Sequence, residues 1–144
     1  MSRNLVANVK TSVEATRGDV WKALVTPTAI KQYMFGADVE SGWTEGSTIT
    51  WKGEAKGKPY EDKGVILKFE PTQTLQYSHF SPLSGKPDKP ENYHTVSISL
   101  AGTGKETEVA LSQDNNLDEK ARMESEKNWG TMLEGLKKYV EAAA

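Results

Sequence analysis

The feature that most constrains this chain is a long amphipathic helix at its C-terminal end. Residues 117–144 contain no proline and only two glycines, so little in them would end a helix. Apolar side chains recur at helical spacing along one stripe, which comprises Trp129, Met132, Leu133, Leu136 and Val140. A helix of this kind needs an apolar surface to pack against. Trp129, the largest residue of the stripe, is expected to be its central anchor.

The middle of the chain supplies that surface as a series of short strands. Apolar and polar residues alternate over residues 5–13 and in later segments from residue 37 to residue 111, which are separated by turns rich in glycine and proline. Thr16 and Pro27 are typical of the starts of two short helices after the first strand. The fold class is therefore α+β, a helix-grip fold in which a curved antiparallel sheet of about six to seven strands surrounds the long C-terminal helix.

Length and composition exclude several classes of protein. A chain of 144 residues is the usual size of one domain, and we expect residues 1–144 to form one. The absence of cysteine excludes disulfides and thiolate metal sites, and the interspersed charges, with a formal net charge of −2, make nucleic acid an unsuitable partner. No apolar run is long enough for stable membrane insertion, and residues 1–8 lack a signal-peptide core. We expect a cytoplasmic protein.

The alternation along the strands predicts which side chains face the helix. These residues are Trp51, Leu67, Phe69, Tyr77, His79, His94, Val96 and Leu111. Their aromatic rings either wall a ligand pocket or fill a closed core, because both environments favour such side chains. The acidic residues fall mostly on outward positions, so no pair of carboxylates is expected inside the sheet.

Two histidines stand out on the inward face. If their strands form a hairpin, the register that pairs Leu75 with Ile98 places His79 opposite His94. The pair could form the polar end of a pocket, act as an acid and a base near neutral pH, or be two half-buried histidines without a function. Two imidazoles without a third ligand do not make a metal site, so no metal and no cofactor are expected.

The first half of the long helix is polar where the second half is apolar. The inward stripe, extended backwards from Trp129, passes through Glu126, Ser125 and Arg122. Arg122 and Glu126 are placed to pair along the helix. This part of the helix either covers the wet mouth of a pocket, where Arg122 and Glu126 join the ligand-binding residues and Trp129 adds flat apolar surface, or projects beyond the sheet into solvent.

The sequence lacks the familiar signatures of catalysis. It contains no G-x-S-x-G, no Walker loop, no H-E-x-x-H and no G-x-G-x-x-G before a helix. The segment 102–104 joins two strands and is expected to be a turn. Nothing in the sequence therefore supplies the mechanism of an enzyme.

Several short segments, in order, resemble a known family. They are residues 20–24 followed by Pro27, residues 42–51, Gly64-Val65 with Pro71, residues 75–77, and Glu126, Trp129, Leu133, Leu136 and Tyr139. Together they resemble the START-like (SRPBCC) superfamily, which includes the birch-pollen-allergen fold. Within it they resemble the family named for the activator of the heat-shock protein 90 ATPase. The resemblance covers nearly the whole chain, with one departure at Tyr33, where such proteins often carry tryptophan.

The resemblance implies a cavity between sheet and helix, and three functions. The first is binding of a hydrophobic or amphipathic small molecule, lipid-like or aromatic. The second is a co-chaperone-like module that contacts a chaperone in stress response, although activators of that name carry a further N-terminal domain for which a strand beginning at residue 4 or 5 leaves no room. The third is a cyclase or hydrolase that uses the histidines. A shared fold does not decide among them.

Overall fold

The computed structural model describes residues 5–34, 36–55, 57–82 and 85–143. Most of these residues lie in helices and strands, with one short 3₁₀ turn at Pro90–Asn92. The elements in chain order are β1 (Leu5–Val13), α1 (Arg17–Leu24), α2 (Pro27–Tyr33), β2 (Asp38–Ser41), β3 (Thr48–Ala55), β4 (Lys58–Glu70), β5 (Thr74–His79), β6 (His94–Ala101), β7 (Thr107–Asn116) and α3 (Glu119–Ala143).

The strands form one antiparallel sheet in the order β1-β7-β6-β5-β4-β3-β2. Consecutive strands are neighbours from β2 to β7, and β1 closes the far edge against β7. The helix α3 packs on the inner face, chiefly against β1 and β7, and α2 contacts both α3 and β2. This is the helix-grip fold that the sequence predicts. None of the described helices is long and apolar enough to cross a membrane.

The helix starts follow from local side-chain chemistry. The Thr16 hydroxyl accepts a hydrogen bond from the Asp19 amide at 3.1 Å, and Pro27 occupies the first turn of α2, where its missing N–H is not needed. The Asp118 carboxylate accepts from the Ala121 amide at 2.8 Å at the start of α3. The first two features confirm the starts of α1 and α2 expected from the sequence.

The core is one cluster of buried apolar side chains beneath the second half of α3. Met132, Leu133, Leu136 and Val140 point into it from the helix. The inner sheet face and the two short helices supply the opposite wall, which includes Val20, Leu24, Ile30, Ile49, Ile66, Leu75, Val96, Ile98, Val109 and Leu111. Burial of this apolar surface is the main force that holds the helix on the sheet.

A β-bulge in β4 changes which of its residues face the core. Ile66 lies opposite Tyr77, but Lys68 lies opposite Gln76, so Leu67 is an extra residue between two paired positions. Ile66 is 1% exposed and Leu67 is 45% exposed. The sequence-based placement of Leu67 on the inner face is therefore wrong, because uninterrupted alternation was assumed across the bulge.

Phe69, beyond the bulge, does face inward as expected. Its ring packs edge-on against Trp21 of α1, with ring centroids 5.2 Å apart. The bulge thus lets β4 present Ile66 and Phe69 to the core, although they are an odd number of residues apart.

Candidate functional site

A small cavity lies between the inner sheet face and the first half of α3. Its volume is about 130 Å³. The residues that line it are Met34, Ala37, Trp51, Tyr60, Asp62, Tyr77, His79 and Trp129. The structure therefore brings together four of the residues proposed from the sequence, namely Trp51, Tyr77, His79 and Trp129.

Trp51 and Tyr77 form the apolar floor of this cavity. Both are 4% exposed, and their ring centroids are 5.1 Å apart. The His79 ring meets the Trp51 ring edge-on, again with centroids 5.1 Å apart. Burial raises the pKa of Tyr77 well above its ordinary value, so its hydroxyl keeps its proton at neutral pH.

The two histidines are paired as the sequence predicts. His79 lies directly opposite His94 in the β5–β6 ladder, within the register that also pairs Leu75 with Ile98. Their rings are stacked with centroids 6.2 Å apart. His94 Nδ1 donates to the Asp114 carbonyl oxygen at 2.9 Å, and burial lowers the pKa of His94 below its ordinary value. His79 lines the cavity, and His94 lies behind it.

Asp62 is the important residue that sequence reasoning missed. Its Oδ2 accepts a hydrogen bond from His79 Nε2 at 2.8 Å. Its Oδ1 is buried and has no hydrogen-bond partner among the described residues. A carboxylate was not expected on the inner face, but Asp62 lies directly opposite Trp51 in the β3–β4 ladder and shares its face.

The bulge also explains why Asp62 was missed. Extending the alternation of Leu67 and Phe69 backwards puts Asp62 on the outer face, whereas the phase of Ile66 puts it on the inner face. The β3–β4 hairpin is a better guide to the face on which Asp62 lies. Ala55 pairs with Lys58, and Gly57 has a φ of 79°. A short hairpin connection at this glycine fixes the register that joins Trp51 to Asp62.

A polar network occupies the space beneath the start of α3. The Ser125 hydroxyl donates to Asn116 Oδ1 at 2.7 Å, and Trp129 Nε1 donates to Gln113 Oε1 at 2.5 Å. Asn116 Nδ2 donates to the Leu5 carbonyl at 2.9 Å, which ties β1 into the same network. The polar stripe of the helix therefore meets polar partners from β7.

Arg122 and Glu126 pair as predicted but do not line the cavity. Arg122 Nη1 donates to Glu126 Oε2 at 2.7 Å, and Arg122 also bonds Glu119. Glu126 Oε2 accepts from the Asn8 amide of β1 at 3.1 Å. Both charges are thus used to fix the helix to the sheet edge, and Arg122 is not presented to an anionic group in the cavity.

Trp129 is not the central anchor that the sequence predicts. It is only partly buried, whereas Leu133 and Leu136 of the same stripe are fully buried. The difference arises because the helix passes over the cavity at Trp129 and reaches the closed core one turn later. Of the other expected site residues, Val96 and Leu111 are buried in the closed core, and Phe69 packs against it.

Larger depressions lie elsewhere on the molecule. One of about 370 Å³ lies along the β3–β4 hairpin around Lys52 and Pro59, and two others contain no residue of that hairpin. The first of these two, of about 200 Å³, is a crevice between the short helices and the end of α3, where Ala23 faces Tyr139 and Val140. The second, of about 450 Å³, spreads over the outer sheet face around Ser97, Ser99 and Ser112. Neither includes a histidine or a buried acid. Among the described residues, no group of three histidine or acidic side chains is placed to hold a metal ion.

The fold and the cavity define a class of protein first. A curved antiparallel sheet that grips a long C-terminal helix, with two short helices after the first strand, is the START-like fold. Two solved structures show it at low sequence identity. The allergen Ara h 8.0201 matches with a TM-score of 0.76 and 10% identity, over 97% of this chain and 99% of that one. The Aha1 dimer from Colwellia psychrerythraea matches with a TM-score of 0.74 and 21% identity, over 95% and 96%.

Within that class, the chain belongs to the family of activator of Hsp90 ATPase homolog 1-like proteins. The sequence model of this family matches residues 14–141. The solution structure of ChR145 from Cytophaga hutchinsonii is 59% identical, with a TM-score of 0.86 over 99% of this chain and 98% of that one. No curated protein matches the sequence. The resemblance drawn from the sequence is confirmed.

Proposed function

We propose that this protein binds a hydrophobic or amphipathic small molecule in the cavity between the sheet and α3. The observation that carries the proposal is the make-up of the cavity wall. Trp51, Tyr77 and Trp129 supply flat apolar surface, and the hydrogen-bonded pair of Asp62 and His79 supplies a polar end. Mostly apolar walls with a few placed polar groups are typical of ligand sites.

The size of the cavity limits what enters it. A volume of about 130 Å³ has room for about four water molecules at liquid density, and it is well below the range of about 300–1,000 Å³ that is usual for drug-sized ligands. The inner face beyond it is closed, with about 20 Å³ left between Ile98 and Met132. The site therefore suits one compact group, while the remainder of a larger ligand lies outside, beside the partly buried Trp129.

Binding can be tested with the tryptophans of the chain. Native mass spectrometry of the purified protein would first reveal any molecule that it carries. A panel of small aromatic and amphipathic compounds should then change the tryptophan fluorescence and raise the melting temperature, since a ligand that binds only the folded state stabilises it by mass action.

Matched variants show whether the fluorescence change arises from the cavity. Trp129→Phe should remove part of the fluorescence change, because Trp129 and Trp51 both line the cavity. Trp43→Phe should leave the change intact because Trp43 lies outside the cavity wall. Tyr77→Phe removes only a hydroxyl from the floor and should weaken binding without unfolding the protein. No response to any compound of the panel would contradict the proposal.

A chaperone-interacting role is the second candidate, and the family match is the observation that favours it. In this case the chain should raise the ATPase rate of an Hsp90 in a saturable way, and Tyr77→Phe should leave that rate unchanged because the residue is buried. An ATPase rate that stays constant as the chain is added would exclude this role.

A further inference from the structure

We propose that the group taken into the cavity is a compact cation, a primary or methylated ammonium. This inference rests on the proposed function and specifies its ligand. The structural reason is that aromatic rings and one incompletely paired carboxylate line the same small cavity.

The carboxylate is the first line of support. Asp62 is the acid of the cavity wall, and no lysine or arginine is among the described residues that line it. His79 occupies one of its oxygens, and the other is buried without a partner among the described residues. A carboxylate oxygen that is buried without a donor is costly, and a positive charge brought next to it recovers part of the lost hydration energy.

The lysines that directly follow Asp62 and its cross-strand partner Trp51 do not supply that charge. Lys52 and Lys63 follow Trp51 and Asp62 in their strands, so the strand alternation puts both lysines on the outer face. Lys63 is moreover held in an ion pair with Asp88. Neither these two lysines nor any lysine or arginine of the described cavity wall compensates the charge of Asp62, and a cationic ligand would.

The aromatic rings are the second line of support. Trp51, Tyr60, Tyr77 and Trp129 all contribute to the wall. Aromatic faces attract cations, with tryptophan the strongest, and the attraction grows as the site is desolvated. Rings around a buried acid are the arrangement by which proteins hold ammonium groups, and the small volume excludes a bulky organic ion.

The test compares two probes of equal shape and different charge. Choline carries a trimethylammonium group, and 3,3-dimethylbutan-1-ol replaces its nitrogen by carbon and is neutral. Isothermal titration calorimetry with the unmodified protein should show that choline binds at least about tenfold more tightly than the alcohol, a ratio within the reach of cation–π and ionic contacts together.

Two variants assign the difference to Asp62. Asp62→Asn keeps the shape and removes the charge, and it should reduce the preference for choline over the alcohol to the part that the aromatic rings supply. Glu61→Gln removes one charge from the neighbouring exposed position and should leave the preference intact. A thermal melt of each variant shows whether it is folded. The comparison of the two probes on the unmodified protein tests the inference even if a variant does not fold.

The outcomes separate this inference from the proposed function. The inference that the ligand is a cation is overturned if choline and the alcohol bind equally. It is also overturned if neutral aromatic compounds bind and choline does not. In both cases the cavity remains a ligand site. A choline preference that is undiminished in Asp62→Asn also overturns the inference. Failure of every compound to bind overturns the proposed function, and the inference with it.

Discussion

The two halves of α3 perform different tasks along one continuous helix. The second half places Met132, Leu133 and Leu136 in a core that is almost free of space. The first half places Ser125 and Trp129 in hydrogen bonds with β7, and the cavity opens beside Trp129. The comparison teaches that docking of the helix and formation of the cavity are separate. Packing of the second half holds α3 on the sheet. The first half can therefore leave a cavity beneath it without loss of the helix from the sheet.

The largest expected effect is loss of the anchor in the second half. Leu136 is 0% exposed, so Leu136→Ala should lower the free energy of unfolding by about 2–5 kcal/mol through lost burial and a residual cavity. Urea denaturation measures this change. Leu117→Ala, at a residue that is 74% exposed, is the control and should stay within about 0.5 kcal/mol. Equal costs for the two variants would show that this half does not anchor the helix.

A smaller effect is expected in the polar half. Asn116 is buried and donates to the Leu5 carbonyl at 2.9 Å while accepting from Ser125. Asn116→Ala leaves these groups unpaired and should cost about 1–3 kcal/mol in the same denaturation experiment. Asn92→Ala, which removes one hydrogen bond at an exposed site, is the matched control. A cost above that of Leu136→Ala would reverse the assignment of the two halves.

The smallest effect concerns pH. Burial lowers the pKa of His94 in the folded protein, so the unfolded chain binds the proton more readily. The contribution of His94 to stability is therefore complete above the unfolded pKa of about 6.5 and is lost as the pH falls below it. Melting temperatures between about pH 8 and pH 5 should fall less for His94→Gln than for the unmodified protein. Parallel curves would contradict this role.

The fold and half of the site could be predicted because the strands concerned are regular. His79 and His94 lie on strands that alternate without interruption, so a single assumed register placed them correctly. The helix caps at Thr16 and Asp118 follow from local chemistry. In each case the information lies within a few residues of the feature that it predicts.

The remainder of the site depends on a β-bulge and on contacts between distant elements, which the alternation of apolar and polar residues does not predict. The bulge at Leu67 reverses the phase of β4, which hid Asp62 and misplaced Leu67. Gln113 was missed for another reason. A polar residue on an inner face becomes recognisable only when its partner, Trp129 on a distant helix, is known. Arg122 and Glu126 were expected at the cavity because the sequence could not show that the edge of β1 lies closer to them.

Because of the bulge at Leu67, the number of residues in β4 decides which side chains line the cavity. Loss of a single codon there would restore simple alternation, and the two parts of β4 could no longer both keep their faces. Phe69, held by Trp21, fixes the part after the bulge. The part before it would turn over, so that Tyr60 and Asp62 face solvent and Glu61 and Lys63 face the helix. Relatives that differ by one residue at this point can therefore have opposite chemistry in the cavity wall with no substitution in the cavity itself.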